Sequence, residues 1–235
     1  IAEDEILGGS GVIEGAVVNE GTFSPGYSPG VSTQSTLTNT SDATIQIEIA
    51  GAGEAGASDG FDQIQVTNAA DLAGTLDIVL LEPVALADGD SFEIMTYSSV
   101  TGTFDTITGL TFGTNGFFEY VQTDSGITLT ARDGSSADAN SELTLGATDD
   151  VRVLDTFVND GTYNLLDLSG TADDNGTVNT FRHIFAAPGT VSLDAVAGDD
   201  SITLGELDLG SAALTVKAES ISQSAATTLT SSADI

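Results

Sequence analysis

A two-residue alternation of apolar and polar side chains, cut at short intervals by glycine, constrains this chain more than any other feature. Ile45, Ile47 and Ile49 point one way while Gln46 and Glu48 point the other, and Leu76, Ile78 and Leu80 repeat the device. Phe92 with Ile94 and Ile127 with Leu129 follow, then Leu143/Leu145, Val151/Val153, Val191/Leu193, Ile202/Leu204, Leu207/Leu209 and Leu214/Val216. Side chains alternate between the two faces of a strand, so this spacing predicts strands with one buried face. Apolar residues at i, i+3, i+4 and i+7 are not found. Only Ala69 to Leu72 and Phe181 to Ala187 would tolerate a short helical turn. Between the runs stand turn pairs such as Asp59-Gly60, Asn115-Gly116, Asp160-Gly161 and Asn175-Gly176. These suit the hairpins of a sandwich or propeller, and equally the corners of a coil. The recurring order of polar turn, short Thr- or Val-rich strand, glycine and next strand favours the coil, whose rungs would stack ~4.8 Å apart.

Charge narrows the partners. The 235 residues hold 4 Lys+Arg against 36 Asp+Glu, a formal charge of −32. Nucleic acid is excluded as a partner, because phosphates need cationic side chains to displace counterions. Anionic headgroups are disfavoured for the same reason. Strong acidity often marks disorder, but 40% of residues are hydrophobic and mean hydropathy is +0.13. The acids are therefore read as the solvent face of ordered sheets, their repulsion screened by salt or bridged by a divalent cation. Cysteine is absent, so a continuous core must supply the stability. No apolar run nears the ~20 residues of a membrane-crossing helix, so direct membrane insertion is not expected. The chain starts at Ile1 and ends at Ile235 in mid-pattern, and it reads as a segment of something longer. The expected layout is a β-solenoid over 1–132, a polar loop or boundary over 133–142, and further rungs over 143–235.

Within 21–131 five elements occur in order. They are Pro25 to Gly30, Phe61 to Val66, Leu72 to Ile78, Gly89 to Met95 and Gly102 to Phe104. Phe117 to Tyr120 and Gly126 to Thr130 complete the block. This order resembles the passenger regions of Gram-negative autotransporters and related large surface adhesins. The stretches Ile202 to Gly205 and Ala213 to Ala218 resemble the looser rungs of filamentous-haemagglutinin-like proteins. The resemblance implies a right-handed parallel β-helix, exported and exposed on the outer surface of a Gram-negative bacterium. Asn68 departs from the pattern, standing where glycine is common after the Val strand, and no outer-membrane barrel is included.

Motifs that suggest chemistry are weak. Gly26 to Gly30 matches Gly-x-Ser-x-Gly, but Pro29 follows the serine and lacks the N–H an oxyanion hole needs. Gly51 to Gly56 matches the dinucleotide fingerprint, yet no helix follows to hold a pyrophosphate, and it reads as a flexible glycine loop. His183, the only histidine, lies beside Arg182 with no nominated partner, and zinc is not expected. Calcium is the one candidate cofactor. Asp59 with Asp62, Asp88 with Asp90, Asp149-Asp150, Asp173-Asp174-Asn175-Gly176 and Asp199-Asp200 set oxygen ligands at corners, where Asp and Asn are also ordinary turn residues. A calcium β-roll repeat beginning at Gly8 fails because Ile13 occupies its aspartate position. The outward acids Glu48, Asp77 and Glu93 are spread out and read as a solvated face, not as the acid–base pair of a glycosidase.

The expectation is a non-catalytic, extracellular structural or adhesive β-solenoid. Its partners would be neighbouring copies of itself, surface glycans or matrix. A polysaccharide-active β-helix enzyme and a calcium-dependent surface-layer protein are the alternatives.

Overall fold

A computed structural model describes residues 1–81, 83–114 and 116–133, and beyond these the strand segments lying between 141 and 230. The described chain is all-β, with parallel and antiparallel pairing both present and no helix among the described residues. It divides into two compact units: Ile1–Phe118 with Gln122–Asp133, and Glu119–Val121 with Gly134–Ile235.

The strands of the first stretch are β1 (Ile6–Gly9), β2 (Gly11–Asn19), β3 (Thr22–Pro25), β4 (Val31–Asn39), β5 (Thr44–Ile49), β6 (Gln63–Val66) and β7 (Ala69–Leu72). They continue as β8 (Thr75–Leu80), β9 (Ser91–Thr96), β10 (Ser99–Gly102), β11 (Thr106–Thr108), β12 (Thr111–Phe112), β13 (Gly116–Gln122) and β14 (Gly126–Asp133). One sheet, β1-β3-β5-β8-β11, is parallel throughout. In a second set β2 pairs with β4, β4 with β6 and β7, β6 with β9, and β7 with β10, again all parallel. Partners along the first sheet are 22 residues apart between Ser24 and Gln46, then 31 between Gln46 and Asp77 and 31 between Asp77 and Thr108. β9 pairs antiparallel with β14, and β12 with β13.

Alternation sorts the faces as the sequence requires. Phe23, Ile45 and Leu76 stack in register and are buried, while Leu7 and Ile107, at the two ends of that column, are half-buried. The second set buries the column Val17, Leu37, Ala70 and Val100. Phe92 stands between Phe61 and Phe118, edge-on to both at centroid separations of 5.3 and 5.9 Å. Each fully buried aliphatic or aromatic side chain in these columns contributes roughly 1.5–3 kcal/mol by leaving water. Ala69 to Leu72, where a helical turn was tolerable, is strand β7. Its alternate residues Ala70 and Leu72 are buried, and that burial outweighs the helix preference of two adjacent alanines.

Buried polar groups are also stacked. Asn19 and Asn39 lie opposite each other in β2 and β4, and both are buried. Asn19 Nδ2 donates to Asn39 Oδ1 at 2.7 Å and to the Thr44 carbonyl at 2.9 Å. Asn39 Nδ2 donates to the Ala73 carbonyl at 2.7 Å. The two amides thus bond the carbonyls at chain corners that strand pairing leaves over.

The strands of the second stretch are β15 (Ser141–Thr144), β16 (Val151–Asn159), β17 (Tyr163–Ala172), β18 (Thr177–Val178), β19 (Phe181–Ala186), β20 (Val191–Ala195), β21 (Ser201–Asp208), β22 (Leu214–Ala218), β23 (Ser220–Gln223) and β24 (Leu229–Thr230). β15, β20 and β22 form a parallel sheet, and β21 pairs in parallel with β16, β23 and β24. Over 143–235, where further rungs are expected, the pairing is mixed: β17 is antiparallel to β16, β18 and β19. Too few residues separate Asn159 from Tyr163 for a crossover, and so short a connection joins only antiparallel neighbours. The other tolerated helical turn, Phe181 to Ala187, falls largely in β19. β15 begins at Ser141, inside the stretch expected to be a polar loop; residues 134–140 lie outside the described residues.

Candidate functional site

Both glycine motifs, and the aspartates Asp62 and Asp90, serve the backbone. At Gly26 to Gly30 the chain doubles back so tightly that a Cβ on either glycine would overlap the other. Gly26 exchanges backbone hydrogen bonds with Gly9 at 2.9 and 3.1 Å, and Tyr27 at the tip is 90% exposed. No strand-to-helix elbow forms; the segment is a corner. The same bonds fix Gly9, at φ +112°, so the Gly8 to Gly11 run is also a corner, between β1 and β2.

Gly51 to Gly56 is bonded to its own loop rather than open. Gly51 N–H donates to the Gly60 carbonyl, Gly53 N–H to Asp59 and Gly56 N–H to Phe61, all at 2.9–3.1 Å. A pyrophosphate would find those three donors already taken. Glycine is required at Gly60, where a Cβ would overlap the Glu54 carbonyl.

The candidate cation corners divide. Asp62 is fully buried. Its Oδ1 accepts from Gly30 N–H at 2.6 Å and its Oδ2 from Glu48 N–H at 2.9 Å, and backbone bonds return from Asp62 N–H to Glu48 and from Gln63 N–H to Gly30. One carboxylate therefore joins the start of β4, the middle of β5 and the entry to β6. Burial pushes this carboxyl up to about 7; the two amide bonds act the other way, and the neighbouring Glu48 charge adds to the rise. Asp90 Oδ2 accepts from Ala87 N–H at 2.7 Å, three residues back, and Asp90 N–H donates to the Ala87 carbonyl at 3.1 Å, so this carboxylate closes a turn. Among the described residues no group of three or more His, Asp or Glu side chains stands where it could hold a metal. Asp149-Asp150, Asp173 to Gly176 and Asp199-Asp200 lie outside the described residues.

His183 is placed on β19 opposite Leu166. Its neighbour Arg182 faces Asp167 across the strands, and Nε and Nη2 donate to the two carboxylate oxygens at 2.7 and 2.9 Å. This fork escaped the sequence reading because residues 15 apart acquire a common register only once β17 and β19 pair.

The outer face of the β1-β3-β5-β8-β11 sheet is the most ordered polar surface among the described residues. Thr22, Thr44, Thr75 and Thr106 occupy one register column. Beside it Ser24 Oγ donates to Gln46 Oε1 at 3.4 Å and Gln46 Nε2 to Asp77 Oδ2 at 3.1 Å; Thr108 Oγ1 donates to Asp77 Oδ1 at 2.6 Å. Parallel pairing at ~4.8 Å brings equivalent positions within hydrogen-bond reach. On the other set of strands Thr33 Oγ1 donates to Gln65, Gln65 to Gln63, and Thr101 to Asp71, at 3.2, 2.7 and 2.9 Å.

The register also sets the chemistry of the outward acids. Glu48 lies opposite Val79, Asp77 opposite Gln46 and Thr108, and Glu93 opposite Thr128. No two of these three carboxylates face each other, and Asp77 is bonded from both sides. Such a surface offers hydroxyl, amide and carboxylate groups at fixed spacing; it does not set up an acid and a base across a shared substrate. Comparison of the chain with family models, curated proteins and solved structures returns no match.

Proposed function

We propose that this chain is a non-catalytic structural segment of an extracellular surface or matrix protein, built as a right-handed parallel β-helix that displays ordered polar faces. The observation that carries this reading is the hydrogen-bonded column Ser24, Gln46, Asp77 and Thr108, which crosses four parallel strands without a break. Stacked rungs of this kind satisfy one another's backbone and side-chain groups, so the outer face is held rigid with no ligand needed. The strands β17 and β19 are then an antiparallel excursion from β16, which itself pairs in parallel with β21.

The charge of −32 sets how such segments meet. Like-charged copies repel at low ionic strength and approach when salt shortens the screening length to ~3 Å at 1 M. Neighbouring copies and surface glycans are the proposed partners. Sedimentation velocity over a range of protein concentrations tests the reading, in dilute buffer and in high salt. Salt-promoted association with no release of reducing ends from a polysaccharide panel is expected. A monomer at every salt concentration that liberates reducing ends would replace it with the enzyme reading.

A further inference from the structure

The polar columns leave a concave feature of the first unit unexplained. The turn before β9 and the β12–β13 hairpin enclose, with the end of β14, a cleft of about 280 Å³. Its apolar wall is Phe112, whose ring lies 4.6 Å from Phe118 at an interplanar angle of 47° and remains half-buried. Gly116 permits this, because a Cβ there would overlap the Phe112 ring. Gly113, at φ +57°, also borders the cleft, and a Cβ built on it would meet nothing within 4 Å. Asp88, Thr114 and Arg132 also line it, Asp88 and Arg132 each already engaged in an interaction within the protein. The walls are pinned: Gly89 N–H donates to the Ala131 carbonyl at 2.8 Å, Ala131 N–H to Asp90 at 2.8 Å, and Asp90 closes the turn onto Ala87.

We infer that this cleft is a binding site for a single neutral pyranose ring of a surface glycan. A pyranose has one face of C–H groups, which an aromatic ring accepts, and a rim of hydroxyls that both donate and accept. Phe112 answers the first, and Asp88, Thr114 and Arg132 answer the second with an acceptor-only, a mixed and a donor-only group. The volume falls just below the ~300 Å³ at which pockets for larger ligands begin, so one ring fits and a buried oligosaccharide does not. A nucleotide is excluded by the absence of a phosphate cradle on so acidic a chain, and a purely apolar ligand by the charged rim. The inference rests on the surface reading only for the kind of ligand; the polar columns stand whether or not sugar binds.

Saturation-transfer NMR with a panel of neutral methyl hexopyranosides tests it on the full chain. Ligand efficiencies typical of small molecules place the dissociation constant on the order of 1 mM. At least one glycoside is expected to receive saturation at its ring C–H protons. Phe112→Leu, which keeps an apolar contact for Phe118, and Arg132→Gln, at an exposed position, are each expected to weaken binding about tenfold, with amide spectra elsewhere unchanged. No transfer to any glycoside from folded protein would overturn the proposal. So would equal binding by both variants, or a response to acetate alone, which would mark Arg132 as a simple anion contact. Association measured by sedimentation is unaffected by either variant, so failure here is distinct from failure of the surface reading.

Discussion

Replacing Asp62 by asparagine isolates, among the described residues, a carboxyl whose burial should make stability depend on pH. Folding raises this group from 3.8 to about 7. Between roughly pH 4 and pH 7 the unfolded chain has therefore lost a proton that the folded chain retains, and stability must fall as pH rises through that window. Below it both states are protonated; above it both are ionised and the loss is complete. Carrying a carboxyl from 3.8 to about 7 corresponds to about 4 kcal/mol at 1.36 kcal/mol per tenfold change. Burial is the largest cause of the rise, and relaxation and water penetration around a buried carboxylate reduce that penalty, so a loss of about 2 kcal/mol is the working figure. Asparagine cannot ionise. Its Oδ1 can still accept from Gly30, but its Nδ2 would turn a donor toward the Glu48 N–H, at a pH-independent cost of about 1–3 kcal/mol. The D62N variant should thus be less stable at pH 4 and close to wild type above pH 7. Urea unfolding at several pH values, read by tyrosine fluorescence, gives the difference profile, in which the repulsion of the other acids cancels. A carboxyl ¹³C titration in the folded protein should show one midpoint near pH 7. A flat profile and an acidic midpoint would refute the reasoning, by showing that the Gly30 and Glu48 amides hold the ionised form despite burial.

Two further outcomes are expected. Asn39→Ala removes the acceptor for Asn19 Nδ2 and strips the Ala73 carbonyl of its donor, so denaturant unfolding should show a loss of about 2–4 kcal/mol; a loss below about 0.5 kcal/mol would mean that water replaces the amide. Tyr97 Oη donates to the Thr123 and Gly126 carbonyls at 2.8 and 3.1 Å, and burial with the nearby Asp124 charge holds its phenol well above the usual range. Stability from this group is present below about pH 10 and lost as pH rises further, so ultraviolet titration should show one tyrosine ionising together with the loss of β-sheet circular dichroism. Reversible ionisation of all four tyrosines with the sheet intact would contradict it.

The sequence by itself determined that the described chain is strands and, in regularly alternating strands such as β5, which side chains face inward. Alternation is a local property: once Ile45 and Ile47 are buried, Gln46 and Glu48 must face out. It also disposed of the two tempting motifs, since Pro29 and the missing helix after Gly56 are legible without coordinates. What tertiary structure decided was which strands meet and in which direction. Period two is the same in parallel and antiparallel sheets, so the alternation in Val151 to Ala172 did not announce that β17 would fold back on β16, and the Asp160-Gly161 pair suited a hairpin and a coil corner equally. The polar interior was hidden for a related reason. Asn19, Asn39 and Asp62 look like ordinary turn residues, and only the pairing of distant strands brings Asn19 to Asn39 and Asp62 to Gly30, 20 and 32 residues apart. The cleft beside Phe112 is of the same kind, assembled from a turn, a hairpin and a strand end that are distant along the chain. Burial can be read from neighbours in sequence, but partnership depends on neighbours in space.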